Sequence, residues 1–232
     1  MRGSTPVATT PTAGRYTEMM ESAPVGLLEA DSLIRMAKGD CEAAVATAAS
    51  ADGLVLSKML GVEWLNNRGH LHLPARAAAA VPMMEHAFEL LGGDYEAMQR
   101  KHLSNLPNDL LHVASRTIVE VDEFQHFTSM RGLTLDIVQD RSVGYNIDAY
   151  RELVRTWHPK SDRYFQSKIT IGFPGPLSRG RGRAYFDLLR DIVGPLMGYR
   201  VIRVPAVDRA ATDSLKGAAA YARARLSLLA LK

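Results

Sequence analysis

One cysteine, Cys41, stands in a chain of 232 residues. It has no partner within the chain, which excludes a disulfide-stapled secreted scaffold and any multi-cysteine zinc or iron–sulfur centre. Long apolar runs are also missing, since none approaches the roughly 18 residues that a membrane span needs. Met1 to Tyr16 lacks the apolar core of a signal peptide, and residues 1–17, rich in Thr, Ser and Arg, read as a flexible leader. No internal repeat is present. What the chain does have is an apolar fraction of 47% with 23% charged residues, ordinary for a globular protein with a real core. The length suits one large domain or one domain with a modest extension. These features predict a cytoplasmic protein with no membrane attachment.

Net charge is only +3, but it is unevenly placed. Residues 1–74 carry 6 basic and 8 acidic side chains, whereas Lys160 to Arg209 alone hold 10 basic against 4 acidic. A basic cluster of this kind is the electrostatic footprint of a phosphate-backbone partner, or equally a solvated basic face.

Hydrophobic spacing divides the chain into a helical N-terminal extension over residues 18–74 and a main domain over residues 75–232. In the extension the pattern predicts helices over Leu27–Ala37, over an Ala-rich stretch from Asp40 to about Ala51, and over Ser57–Trp64. A β-like piece, His70 to Leu73, follows, an order open to a winged helix or to a bundle packed on the main domain. His70 and His72 share that piece, but no third zinc ligand accompanies them. The main domain begins with a helix over Ala75–Leu91, with Pro82 as a kink and Gly92-Gly93 as its stop. Strands are predicted at Thr117–Asp122, Lys168–Phe173 and Gly198–Val204, and helices at Asn146–Trp157, Arg183–Val193 and from about Thr212, its cap, to Leu231. This order is an α/β fold with a mixed sheet flanked by helices.

The strand over Thr117–Asp122 is the unusual element. Period two places Ile118, Glu120 and Asp122 on one face and Thr117, Val119 and Val121 on the other. Carboxylates side by side repel, and a hard divalent cation removes that cost; an exposed acidic strand end paired with arginines accounts for the same residues. Upstream, a hairpin joining residues 109–113 to 117–122 brings Asp109 beside Glu120. Arg131, Arg179, Arg181 and Arg183 are candidate phosphate clamps, three of them in a Gly-spaced stretch that reads as a loop. Arg190 reads as the partner of a carboxylate on the sheet. Tyr145, Tyr150, Trp157, Tyr164 and Phe165 read mostly as core, with one or two left to stack on a base.

Asp109, the run Glu120 to His126, Asp187 with Arg190, and Gly198 to Arg203 together resemble the PD-(D/E)XK nuclease superfamily. The subgroup nearest in pattern is that of the very-short-patch-repair endonucleases, and the likeness covers about residues 80–205. It implies a restriction-endonuclease-like core and Mg²⁺-dependent (or Mn²⁺-dependent) hydrolysis of phosphodiester bonds, most naturally in DNA. It implies metal ligation by Asp109, Glu120 and Asp122, and catalytic roles for Glu85, Gln125 and His126. Asp122 stands where the family has its lysine, Glu123 where the subgroup has glycine, and the stretch between His126 and Asp187 is longer than in the subgroup. Two alternatives accompany the nuclease: an inactive nucleic-acid-binding or scaffold protein on the same fold, and a subunit of a defence or repair complex that docks a protein partner through its N-terminal helices.

Overall fold

The computed structural model describes residues 39–138, 143–207 and 213–232. The helix expected over Leu27–Ala37, the leader at 1–17 and the cap expected at Thr212 lie outside these.

A central strand organises the rest. Thr117–Asp122 (β5) combines β-branched residues with alternation, and all six of its residues are buried. Asn105–Pro107 (β3) and Leu110–His112 (β4) precede it; β4 pairs antiparallel with β5, Leu110 opposite Val119 and Leu111 opposite Ile118. Ser57–Lys58 (β1) adds antiparallel to the outer edge of β4, and Arg200–Pro205 (β6) pairs parallel with β5 on its other side. The sheet is therefore mixed, in the order β1-β4-β5-β6. Gly61–Asn66 (β2) pairs with β3 as a separate ribbon.

Each face of the sheet buries its own apolar set. Val119 and Val121 pack with Leu110, Ile202 and Val204 against Asp40–Ala51 (α1) and Asp213–Leu229 (α7). Ile118, Leu111 and Val201 face the larger core under Ser178–Leu196 (the helix α6), where Tyr185, Leu188, Leu189 and Val193 form the buried stripe. Around α6 lie Val81–Leu90 (α2), Tyr95–Gln99 (α3), Ser129–Ile137 (α4) and Ile147–Phe165 (α5). Local chemistry sets their starts: the side chains of Asp94, Thr128 and Asn146 accept from backbone N–H groups in the first turns of α3, α4 and α5.

Several expectations need correction. Ser57–Trp64 is not helical: Met59 takes a left-handed turn at φ 52°, and Val62, Trp64 and Leu65 of β2 are buried, so strand pairing across the fold overrides the local spacing. β1 joins the main sheet and α1 packs on α7, so described residues on both sides of positions 74 and 75 contribute to the same sheet and core. His70 sits in a 3₁₀ turn, Gly69–His72, where its backbone N–H and its Nδ1 both meet the Tyr185 hydroxyl, so it is a buried packing residue. The helix expected over Ala75–Leu91 divides into a 3₁₀ stretch, Ala75–Ala80, and α2, with Pro82 in the first turn of α2. Lys168–Phe173 is not a strand, because its backbone partners are the end of α5, the start of α6 and the N-cap of α3 rather than another strand. The stretch containing Arg179, Arg181 and Arg183 is not a loop either: it forms the opening turns of α6.

Candidate functional site

Where β4 and β5 begin to part, their ends meet the N-terminal half of α6 and the start of α1 around a cleft of about 1370 Å³. Asp109, just before β4, and Glu120 in β5 lie together on its lining. The Val121 N–H donates to Asp109 Oδ2 (2.9 Å), and the Asp109 N–H reaches Glu120 Oε1 at 3.4 Å. Arg190 Nε stands 3.1 Å from the same Oε1, an ion pair without hydrogen-bond alignment. Burial pushes the Glu120 carboxyl up to about 7; Arg190 opposes this and Asp109 adds to it. The other oxygen of each carboxylate, Asp109 Oδ1 and Glu120 Oε2, carries no hydrogen bond among the described residues.

Behind them lies a buried charge network. Arg203 on β6 donates through Nη1 to both oxygens of Asp122 (3.1 Å each) and through Nε to Asp191 (2.8 Å), with Nη2 3.5 Å from Asp187. The Tyr150 hydroxyl completes Asp122 at 3.0 Å. Burial works against an ionised Asp122, yet Arg203 and His126 bring its carboxyl down to about 2. Asp187 is held well below the usual carboxylate range by the same two groups, again against burial.

His126 joins this network to the cleft. Its Nδ1 lies 2.9 Å from Asp122 Oδ1 and 3.3 Å from Asp187 Oδ2, while Arg183 Nη1 approaches Nε2 to 2.5 Å. Burial and Arg183 lower the pKa of the ring; the two aspartates outweigh them and raise it to about 9. Two N–H groups repel when they face each other, so Arg183 opposes a proton on Nε2 while Asp122 and Asp187 favour a charged ring. An Arg183→Ala variant is expected to show a His126 pKa raised further, by about one unit, in an NMR titration of the imidazole. An unchanged or lowered value contradicts this coupling.

The sequence-derived candidates divide on this geometry. Asp109, Glu120, Gln125, His126, Arg179 and Arg183 line the cleft. Asp122 does not: Arg203, Tyr150 and His126 occupy its oxygens, so it supports His126 rather than offering a free ligand. Glu85 is exposed on α2 and is absent from the lining; Glu42, on α1, lines the cleft instead. Burial, with Asp109 and Glu123, raises the Glu42 pKa. Arg131 is no phosphate clamp, being 2% exposed and paired with Asp191 at 2.8 Å. Arg181 points its Nη1 at the carbonyls of Leu91 and Pro174, outside the cleft. Arg190 pairs with a sheet carboxylate as its place in the sequence suggested. Glu42, Lys58, Lys101 and Lys168 are cleft residues that the sequence reading did not select; the acidic first turn of α1, directly ahead of β1, is the signal that pointed to Glu42.

Among the described residues, no set of three or more His, Cys, Asp or Glu side chains forms a metal-binding group. The acidic side chains on the cleft lining include Glu42, Asp109, Glu120 and Glu123, of which Asp109 and Glu120 are joined through the β4–β5 backbone. Among the described residues no helix is long and apolar enough to cross a membrane. Comparisons of the chain with protein-family models, curated proteins and solved structures gave no match.

Proposed function

We propose that this chain is a metal-dependent endonuclease that hydrolyses phosphodiester bonds in DNA, on a core of the restriction-endonuclease type that the sequence resemblance implies. One observation carries the reading: Asp109 and Glu120 meet in a cleft that also presents Lys58, Lys168, Arg179 and Arg183. A phosphodiester needs both parts, cations to hold the backbone and hard oxygen donors at the reacting phosphate. The order α1, β1, β4, β5, α6, β6, with helices on both faces of a mixed sheet, supports the same reading.

Mg²⁺ or Mn²⁺ fits the carboxylate pair, since among the described residues each carboxylate keeps an oxygen without a hydrogen bond, and burial makes the charge on Glu120 costly even beside Arg190. Asp109 and Glu120 would hold it, and when bound such an ion polarises a phosphate and lowers the pKa of water. The remaining steps belong to the chain. Arg179, Arg183 and Lys168 bind the backbone of the substrate. Arg183, drawn to phosphate, leaves His126 Nε2 and no longer opposes the proton on that ring. Asp122 and Asp187 orient that ring, so the proton faces the cleft and is available to the departing oxygen. Glu42, with its raised pKa, is placed to take a proton at the rim of the same cleft.

The test is cleavage of plasmid and oligonucleotide DNA with Mg²⁺, Mn²⁺ or EDTA, by the wild type and by Asp109→Asn. Metal-dependent cutting is expected, with Asp109→Asn needing about tenfold more metal for the same rate. Binding that weakens with salt, without cutting under any metal, points instead to an inactive binding protein on this fold.

A further inference from the structure

The cleft has two apolar lips, and a phosphate backbone explains neither. One is the irregular strap at residues 166–177. Its backbone is pinned from both sides: the Arg179 N–H donates to Lys168 O (3.0 Å), Ser178 Oγ bonds both the N–H and the carbonyl of Thr170 (2.8 and 3.2 Å), and the Asp94 N–H donates to Gly172 O (2.9 Å). Phe173 plugs the strap into the aromatic core beside Phe88 and Tyr185. Thr170 lies so close to α6 that a Cβ at Gly182 would stand 2.8 Å from Thr170 Cγ2. While residues 168, 170 and 172 are tied down, Ile169 and Ile171 are left 86% and 65% exposed. Both are β-branched and stiff, and both stand on an anchored backbone, so they lose little freedom on contact. The opposite lip is Met59, 58% exposed in a left-handed conformation that a methionine rarely adopts. Its N–H donates to the Asp109 carbonyl (3.2 Å), which sets it next to the carboxylate pair.

We infer that these lips grip unpaired nucleobases, so that the substrate is single-stranded DNA. This deepens the nuclease reading and rests on it for the nature of the polymer. The charge pattern selects the ligand. Lys168, its ammonium 3.1 Å from the centroid of the Tyr164 ring, and Arg179 line the cleft with Ile171, and Ile169 stands exposed between Lys168 and Thr170, so cation and hydrocarbon meet along one rim. A duplex turns its phosphates outward and hides its base faces in the stack, which would set Ile169 and Ile171 against charge. An unpaired strand offers phosphates and bare base faces in alternation, and it meets this rim group for group. Tyr164, 42% exposed, and Phe124 add aromatic surface to the same wall.

The test is fluorescence anisotropy in EDTA, with a labelled oligothymidylate about 20 nucleotides long and the matching duplex. The wild type is expected to bind the single strand about tenfold more tightly than the duplex. The double variant Ile169→Ser/Ile171→Ser should lose about fivefold on the single strand and keep its duplex affinity. Both positions are exposed, and a thermal melt confirms that the variant is folded. Equal affinity for the two forms, a double variant that keeps the preference, or no binding of the single strand overturns the inference. Because no metal is present, the outcome is independent of cutting: a retained preference without cleavage in Mg²⁺ removes the nuclease reading and leaves this one standing.

Discussion

Glu120→Gln is expected to reduce cleavage by about a thousandfold or more while making the protein more stable above pH 7. The two effects have one origin. Burial raises the Glu120 pKa from 4.5 to about 7. The folded state therefore favours the protonated acid, and the group's contribution to stability is present below about pH 4.5 and lost as pH rises through about 7. In the ionised form it costs on the order of 2–3 kcal/mol, which an uncharged glutamine does not incur. For a chain of this size that gain corresponds to a rise in Tm of about 4–12 °C at pH 8. It should shrink towards zero near pH 5, where the wild-type side chain is itself largely neutral. Added Mg²⁺ should stabilise the wild type and leave the variant unmoved, narrowing the gap. The measurements are thermal melts at the two pH values, with and without metal, alongside the cleavage assay. A variant less stable than the wild type at pH 8 would show that Arg190 already compensates the charge.

Arg203→Met should be the most destabilising single change near the site. The guanidinium is the shared partner of Asp122, Asp187 and Asp191, all buried. Methionine fills a similar volume but leaves three carboxylates facing one another without their cation, and breaking even one buried pair typically costs 3–5 kcal/mol. That translates to a fall in Tm of about 6–20 °C, against a total stability of roughly 5–15 kcal/mol for a native domain. Arg203→Lys keeps the charge but cannot reach three partners with one ammonium, so it should fall between. The acid limb changes too. Asp122 has its folded pKa lowered from 3.8 to about 2, so its contribution is present above 3.8 and disappears as pH falls through about 2. In Arg203→Met the loss should begin at higher pH. A melt within about 2 °C of the wild type would mean that His126, Tyr150 and Arg131 carry the network without it.

What the sequence made legible follows the range of the forces involved. The β-branched alternation of Thr117–Asp122 marked the central strand and its two faces, and the short hairpin placed Asp109 beside Glu120, because both depend on neighbours close in sequence. Met59 and the short β1 were illegible for the opposite reason, since their conformation comes from pairing with Leu110 and Leu111 far along the chain. Period two put Glu120 and Asp122 on the same face correctly, yet it could not say that Arg203 and Tyr150 would claim Asp122 while Glu120 lined the cleft. Counting arginines showed a basic region but not its sorting. Arg131 and Arg203 fold inward onto carboxylates, and Arg179 and Arg183 remain at the cleft. Glu42 and Glu85 were comparable acids on early helices until the sheet order brought α1, rather than α2, to the open end.

The parallel pairing of β6 with β5 has a consequence for the life of the chain during its synthesis. Asp109, Glu120 and Asp122 are made long before Arg203, so the parallel edge of β5 and the carboxylate of Asp122 wait for their partners until β6 has left the ribosome. A product that ends before β6 keeps the hairpin residues that set Asp109 beside Glu120 but lacks Arg203, the cation shared by Asp122, Asp187 and Asp191. Asp122 and Asp187 thus meet their shared cation only once β6 has emerged.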